Sequence, residues 1–157
     1  TSCPRVPDAP VSGMPLRKPS TTDSRRTTPA PSPDVIVDVE FDRGVLHLAV
    51  INVSDQPAHR VAVAFDPPFR GLGGEVVVSS LALFRGIEFL APRKRIATLL
   101  DTSSAYFERR EPLRITATVQ FQDGMGRAYE RQVVHDLSIY RDLSYLVSDD
   151  QHGHLPR

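Results

Sequence analysis

The chain has 157 residues, enough for one domain of ordinary size, and its formal net charge at pH 7 is zero. Its one cysteine, Cys3, rules out an internal disulfide. No stretch reaches the roughly 20 apolar residues of a transmembrane helix, and no signal peptide is visible. We therefore expect the chain to be part of a larger or membrane-tethered protein that reaches a membrane only through a segment outside this chain.

Residues 1–33 differ in composition from the rest of the chain. They contain eight of the 14 prolines, many Ser and Thr residues, five basic residues and two acidic ones. Because so few apolar side chains cannot offset the entropy of ordering the segment, we predict a disordered, proline-rich arm that acts as a solvated linker. The arm carries a net charge of +3, which leaves −3 for the remainder. An acidic body argues against a nucleic-acid partner.

Residues 34–145 show a hydrophobic period of two, which is typical of strands with one buried face. In the clearest run, residues 115–121, apolar side chains alternate with Thr and Gln. The pattern predicts strands at residues 35–41, 45–53, 58–65, 75–80, 87–90, 95–100, 113–121 and 127–137. Their inward-facing positions predict a core of nine side chains: Leu46, Leu48, Val50, Val61, Val63, Phe65, Ile115, Val119 and Phe121.

Turn-forming residues separate these strands. Residues 42–44 and 122–126 contain the Asp and Gly that hairpin connections favour, and residues 66–68 contain two prolines that end a strand. Seven or eight short strands at this spacing predict an all-β, immunoglobulin-like antiparallel β-sandwich. Residues 146–157 then form a flexible C-terminal tail.

Three segments are less regular. Residues 71–74 are rich in glycine, which predicts a flexible loop. They do not form a phosphate-binding P-loop, because no P-loop lysine and no helix follow them. Residues 81–84 fit either a helix or a strand. Residues 102–109 predict one helical turn, capped by Ser103 or Ser104.

Several short motifs run through residues 35–140. They are a Leu-x-Val-x-Asn strand, a Pro-Ala pair, a Leu-Ala-Pro break and a final hairpin, at Leu48, Val50, Asn52, Pro57, Ala58, Leu90, Ala91, Pro92, Gly126 and Tyr129. On these residues the body resembles the bacterial immunoglobulin-like domains of the CARDB-related type, which are cell-adhesion-related. Arg93 stands where that family often has glycine. The resemblance implies a spacer or interaction module without catalytic residues, in the bacterial cell envelope or associated with a membrane.

The ionisable residues form no recognisable catalytic or metal-binding pattern. The five histidines are scattered through strands and tail, and no serine lies in a Gly-x-Ser-x-Gly turn. His135 and Asp136 are adjacent in a strand, so they point to opposite faces. We therefore predict no catalytic residue, no cofactor and no metal. Asn52 ends a strand before a turn, and we expect its amide to bond neighbouring backbone groups.

Two surface segments are candidates for binding a protein partner or a neighbouring subunit. One is the basic cluster of Arg93, Lys94 and Arg95, and the other is the pair Phe69 and Arg70 in a loop after two prolines. Loops on a rigid sandwich are common recognition sites, although basic residues also discourage strand edges from pairing. An exposed sheet edge offers a third route, by β-augmentation.

These observations predict a non-catalytic protein-interaction or spacer domain. The alternative is a structural subunit of an assembly, such as a filament, pilus or virion decoration, whose arm orders on a neighbour.

Overall fold

The computed structural model describes residues 31–143. Apart from residues 31–33, the predicted disordered arm and flexible tail therefore lie outside the described residues. Within them lie nine strands, short helices and 3₁₀ turns. The strands are β1 (Val35–Asp42), β2 (Val45–Asn52), β3 (Ala58–Asp66), β4 (Arg70–Gly71), β5 (Val76–Val77), β6 (Ile87–Leu90), β7 (Arg95–Thr102), β8 (Arg114–Gln122) and β9 (Ala128–Asp136). The helices are α1 (Ala82–Arg85) and α2 (Ser103–Glu108), and 3₁₀ turns lie at Leu72–Gly74, Val78–Ser80 and Leu137–Tyr140.

Seven of these strands form two antiparallel sheets. One sheet has the order β1-β2-β7 and the other has the order β6-β3-β8-β9. β4 and β5 form a separate ribbon of two residues each. Hairpins join β1 to β2 and β8 to β9, whereas the connections from β2 to β3 and from β6 to β7 cross between the sheets. This arrangement confirms the predicted all-β antiparallel sandwich.

Side-chain alternation directs one face of each sheet into a shared core. Eight of the nine predicted core residues are buried, and Phe65 is half-buried against the same cluster. The Phe65 ring packs edge-on against Phe69 and Phe84, with ring centroids 5.3 and 5.0 Å away. The core also includes Tyr106 of α2, whose hydroxyl donates to the carbonyl of Pro112 at 2.7 Å. The strand pattern could not indicate this residue because it lies in a helix.

The segment between β3 and β6 differs from the prediction. Of the strand predicted at residues 75–80, only Val76 and Val77 pair as a strand, and Val78–Ser80 form a 3₁₀ turn instead of continuing it. The predicted flexible loop at residues 71–74 is an ordered 3₁₀ turn, because Gly73 donates its N–H to the carboxylate of Asp101 at 3.0 Å.

The predicted helical turn is present as α2, but its predicted cap was wrong. Thr102 caps the helix by accepting a hydrogen bond from the N–H of Ala105 at 3.3 Å. β7 continues to Thr102 and leaves that residue in the extended conformation that a cap needs. Ser103 is instead buried, and its hydroxyl donates to the carbonyl of Gly44.

Asn52 joins three segments at one end of the sandwich. Its side chain is fully buried, and Nδ2 donates to the carbonyls of Gln56, Leu90 and Ala91 at 2.7, 3.2 and 3.2 Å. Its Oδ1 accepts from the N–H and the hydroxyl of Ser54 at 3.1 and 2.7 Å. The structural role expected from its position at a strand end is confirmed, and the amide also fixes the end of β6.

We expect Asn52→Ala to lower the free energy of unfolding by about 3 kcal/mol, because buried carbonyls lose their donor. Urea denaturation at pH 7 measures the change. Gln132→Ala, at an exposed strand position, serves as the control and should stay within about 0.5 kcal/mol of the native chain. Equal stabilities for the two variants would show that the Asn52 network does not hold this end together.

Candidate interaction surface

The outer strands of a sheet are hydrogen-bonded on one side only, so their other side presents unpaired backbone groups. At β1, side chains from the opposite sheet cover this edge. His135 Nε2 lies 3.0 Å from the carbonyl oxygen of Val37, and the Tyr140 hydroxyl donates to that of Val39 at 2.7 Å. Both carbonyls point away from β2, as the alternation of the β1–β2 ladder requires. Two of the outward carbonyls of β1 are therefore engaged by side chains that lie across this edge and hinder a further strand.

The edges of β7 and β6 are restricted in different ways: β7 has eight residues and is approached near its end, whereas β6 is short. Gly71 lies against the end of β7, where a Cβ would come within 2.5 Å of the carbonyl oxygen of Leu100. Position 71 therefore needs glycine for this close approach. β6 has only four residues, and Pro92 follows it closely. Short edges of this kind are poor templates for another strand.

β9 presents the longest open edge in the described part of the chain. Its nine residues pair with β8 without a bulge. The N–H of Leu137 donates to Leu113, and the N–H of Asp123 donates to Arg127, so odd-numbered residues of β9 bond to β8. The backbone groups of even-numbered residues point outward, at Ala128, Glu130, Gln132, Val134 and Asp136.

The outward N–H and C=O groups of Ala128, Glu130, Gln132 and Val134 have no main-chain partner within residues 31–143. Proteins often protect such an edge with proline, lysine or a bulge, and β9 has none of these. Its charged side chains are Glu130, Arg131 and Asp136. The edge is thus long and lacks proline, lysine and a bulge, although it carries these three charged side chains.

The outer face of the four-stranded sheet continues this edge with mainly small or neutral side chains. They are Ala62 and Ala64 on β3, Thr116, Thr118, Gln120 and Gln122 on β8, and Ala128, Gln132 and Val134 on β9. Val134 is 52% exposed. Such a face lets a further strand lie beside β9 without burying many charges.

Arg60 is one of the cations beside this neutral face. It lies at an irregularity in the β3–β8 pairing and has a left-handed φ of 49°. Its side chain has no recorded hydrogen bond or ion pair among the described residues. It lines an open depression of about 410 Å³ together with Gln120, Tyr129 and Glu130. The depression is too shallow to enclose a small molecule, so we regard it as part of the surface rather than as a pocket.

The β8–β9 hairpin fixes the start of β9 through Asp123. This carboxylate accepts from the N–H groups of Met125 and Arg127 at 2.8 and 3.0 Å, from Arg127 Nε at 2.7 Å and from the Tyr129 hydroxyl at 3.0 Å. Burial alone would raise the pKa of Asp123, but these hydrogen bonds outweigh it and lower the pKa to about 2. The sequence indicated the hairpin without revealing this network.

The predicted basic cluster is placed mainly in structural contacts. Arg93 donates to Asp55 at 2.8 Å and to the Val53 carbonyl at 2.6 Å, which holds the turn after β2. Arg95 crosses β2 to form a bidentate ion pair with Glu40 on β1. These hydrogen bonds lower the pKa of both carboxyl groups.

Lys94 is the member of this basic cluster whose side chain has no recorded ion pair in the described residues. Two of the three cationic side chains are thus already neutralised by neighbours. The cluster therefore has less free positive charge than its sequence suggests.

The second predicted segment divides between core and surface. Phe69 is only 2% exposed, with its ring against Phe65 and Tyr106, so its ring is not accessible to a partner. Arg70 is exposed and donates its N–H to Glu111 at 3.0 Å. Phe69 therefore contributes to the core, whereas Arg70 lies on the surface.

A polar network that the sequence did not indicate lies behind Arg70. Asp101 is 5% exposed and accepts from Arg109 Nη2 at 2.6 Å and from the N–H of Gly73. Arg109 also donates to the Ala105 carbonyl at 3.1 Å. The network ties the turn after β4 to β7 and α2, and the wide sequence separation of its members explains why no local pattern revealed it.

No group of three or more His, Cys, Asp or Glu residues within residues 31–143 could hold a metal ion. In the same part of the chain, no helix is long and apolar enough to cross a membrane. The expectations of no catalytic residue and no cofactor stay predictions.

Comparison with known families gives one match. The sequence profile of the family described as "Domain of unknown function (DUF8453)" covers residues 16–141. The chain belongs to this family. The matched range includes every strand of the DUF8453 sandwich, among them the β8–β9 hairpin and its open edge. No curated protein and no solved structure matches the chain.

The low pKa of Asp123 gives the hairpin a defined pH dependence. The unfolded-state pKa is near 3.8 and the folded-state pKa is about 2, so the stabilisation is present above pH 4 and is lost as pH falls towards 2. We expect Asp123→Asn to be less stable at pH 7 and to show a shallower loss of stability between pH 4 and 2. Denaturant unfolding at several pH values measures both effects.

Met125→Ala is the matched control, because it lies in the same hairpin, is 77% exposed and removes no titratable group. It should keep the pH dependence of the native chain. An unchanged slope in Asp123→Asn would mean that the carboxylate does not anchor the hairpin.

Proposed function

We propose that this DUF8453 domain is a non-catalytic protein-interaction module that binds a partner strand along the open edge of β9. The observation that carries the proposal is the row of outward N–H and C=O groups at Ala128, Glu130, Gln132 and Val134, which have no partner within residues 31–143. Backbone groups of this kind are the usual template for β-augmentation.

The rigidity of β9 supports this proposal. Its inner side is bonded to β8 over the full strand, Asp123 anchors its start, and His135 ties its end to β1. A partner strand would therefore meet an edge that already has its bound conformation, which reduces the entropy lost on binding. Main-chain bonds would give affinity, while the neutral side chains beside them would select the partner.

The engagement of the buried polar groups supports a non-catalytic role. Asp101 is paired with Arg109, Asp123 with Arg127, and the Tyr106 hydroxyl with the Pro112 carbonyl. Each of these groups joins segments of the fold. Catalysis needs a nucleophile, a base and an orienting group around one reacting atom.

Gln132→Pro tests strand addition directly. Proline removes the outward N–H at position 132 but no bond to β8, so the fold should tolerate it. We expect the affinity for the strand partner to fall about tenfold or more, through the lost N–H and the ring that blocks close approach. The measurement is quantitative capture of interacting proteins by the tagged full chain in the cells that express it.

Gln132→Ala is the matched control, since it shortens the same side chain but keeps the backbone donor. Melting curves should show that both variants fold. If Gln132→Pro and Gln132→Ala capture the same proteins in the same amounts, β9 is not the binding edge.

A further inference from the structure

We propose that the edge of β9 pairs with β9 of a second copy of the chain, antiparallel about a two-fold axis at Gln132. The two four-stranded sheets would then form one eight-stranded sheet across the dimer. This inference rests on the proposed function and identifies the partner that the edge fits best. Its basis is the arrangement of charges along the strand.

Pairing geometry restricts the registers that two copies can adopt. The outward backbone groups belong to even-numbered residues, so an antiparallel ladder must pair even residues with even residues. The two-fold axis can therefore pass through residue 130, 131, 132, 133 or 134. An axis at 134 would use only the last part of the strand, whereas an axis at 132 uses all nine residues.

Charge excludes three of the other registers. An axis at 130 or 131 would place Glu130 opposite Glu130 or Arg131 opposite Arg131, and an axis at 133 would place Glu130 opposite Asp136. Like charges directly opposite each other destabilise a ladder.

An axis at residue 132 avoids these conflicts. It places Gln132 opposite Gln132, Glu130 opposite Val134, Ala128 opposite Asp136 and Arg131 opposite Val133. Roughly six to eight main-chain hydrogen bonds could form in this register. The exposed Val134 would be covered by the stem of Glu130 in this register.

In this register, like charges of the two copies are never directly opposite each other across the ladder but only diagonally placed: Glu130 near Asp136, and Arg131 near Arg131. Each of these side chains also has a partner within its own chain. Glu130 accepts from Gln120 Nε2 at 3.1 Å, and Asp136 accepts from the Ser138 hydroxyl at 2.6 Å. Arg131 lies 3.6 Å from a carboxylate oxygen of Asp34. The strand therefore carries charges that disfavour most pairings with itself and leaves one full-length register free of direct repulsion.

Disulfide trapping in the full chain tests this register. In a Cys3→Ser background, Gln132→Cys places two thiols opposite each other with Cα atoms about 5.5 Å apart, within the range that a disulfide spans. We expect mild oxidation to give a covalent dimer with twice the mass of the 17.4 kDa chain. Glu130→Cys alone should not crosslink, because its two copies lie about 13 Å apart along the ladder.

A mixed experiment strengthens the assignment. The Glu130→Cys and Val134→Cys chains should each stay monomeric on oxidation but should form a heterodimer when mixed, since residue 130 faces residue 134. Light scattering of the Cys3→Ser chain under reducing conditions should show a concentration-dependent dimer, and Gln132→Pro should weaken it about tenfold or more.

A chain that stays monomeric at millimolar concentration would overturn this inference, as would Gln132→Cys that crosslinks no faster than Glu130→Cys. In that case the capture experiment with Gln132→Pro and Gln132→Ala still tests whether β9 binds a strand of a different protein. Loss of a different protein from Gln132→Pro, but not from Gln132→Ala, would preserve strand addition while excluding the second copy. If Gln132→Pro loses neither the dimer nor any captured protein, both the proposed strand addition and the proposed dimer are wrong.

Discussion

Backbone hydrogen bonding at the outer strands is the constraint on which the rest of this structure depends. A sandwich of two open sheets has four such strands, and each presents N–H and C=O groups that must be covered, shortened or left to solvent. Here side chains cover β1, the turn after β4 lies against β7, and β6 is short. The remaining edge, β9, is long and regular. The proposed binding surface follows from this difference.

The residues that close β1 also hold β9 in place. His135 of β9 and Tyr140 of the turn that follows β9 reach the carbonyls of Val37 and Val39, so they join the two sheets along one side. Asp123 holds the other end of β9 through its hydrogen bonds to Arg127 and Tyr129. A strand fixed at both ends keeps its outer edge straight, which is the condition for recognition by main-chain bonds.

The alternation in residues 45–51, 61–65 and 115–121, together with the turns between the strands, was sufficient to predict the sandwich and most of its core, because burial of one face imposes a period of two. It could not predict the Asp101–Arg109 pair, the Tyr106 hydrogen bond or the covering of β1, because these join segments that are distant in sequence or lie in helices. The basic cluster around Arg93 was visible as a pattern, but its ion pairs were not. The open edge of β9 depends on the order of strands in the sheet, which no local pattern specifies.

Amide hydrogen exchange along β9 tests the central claim most directly, because odd-numbered and even-numbered amides face opposite sides of the strand. In dilute solution of the full chain, the amides of residues 129, 131, 133 and 135 should be protected by β8, and those of residues 130, 132 and 134 should exchange freely. At high concentration the even-numbered amides should gain protection as the second copy binds. Protection of the even-numbered amides in dilute, monomeric protein would contradict the account, since it would mean that the edge of β9 is already covered.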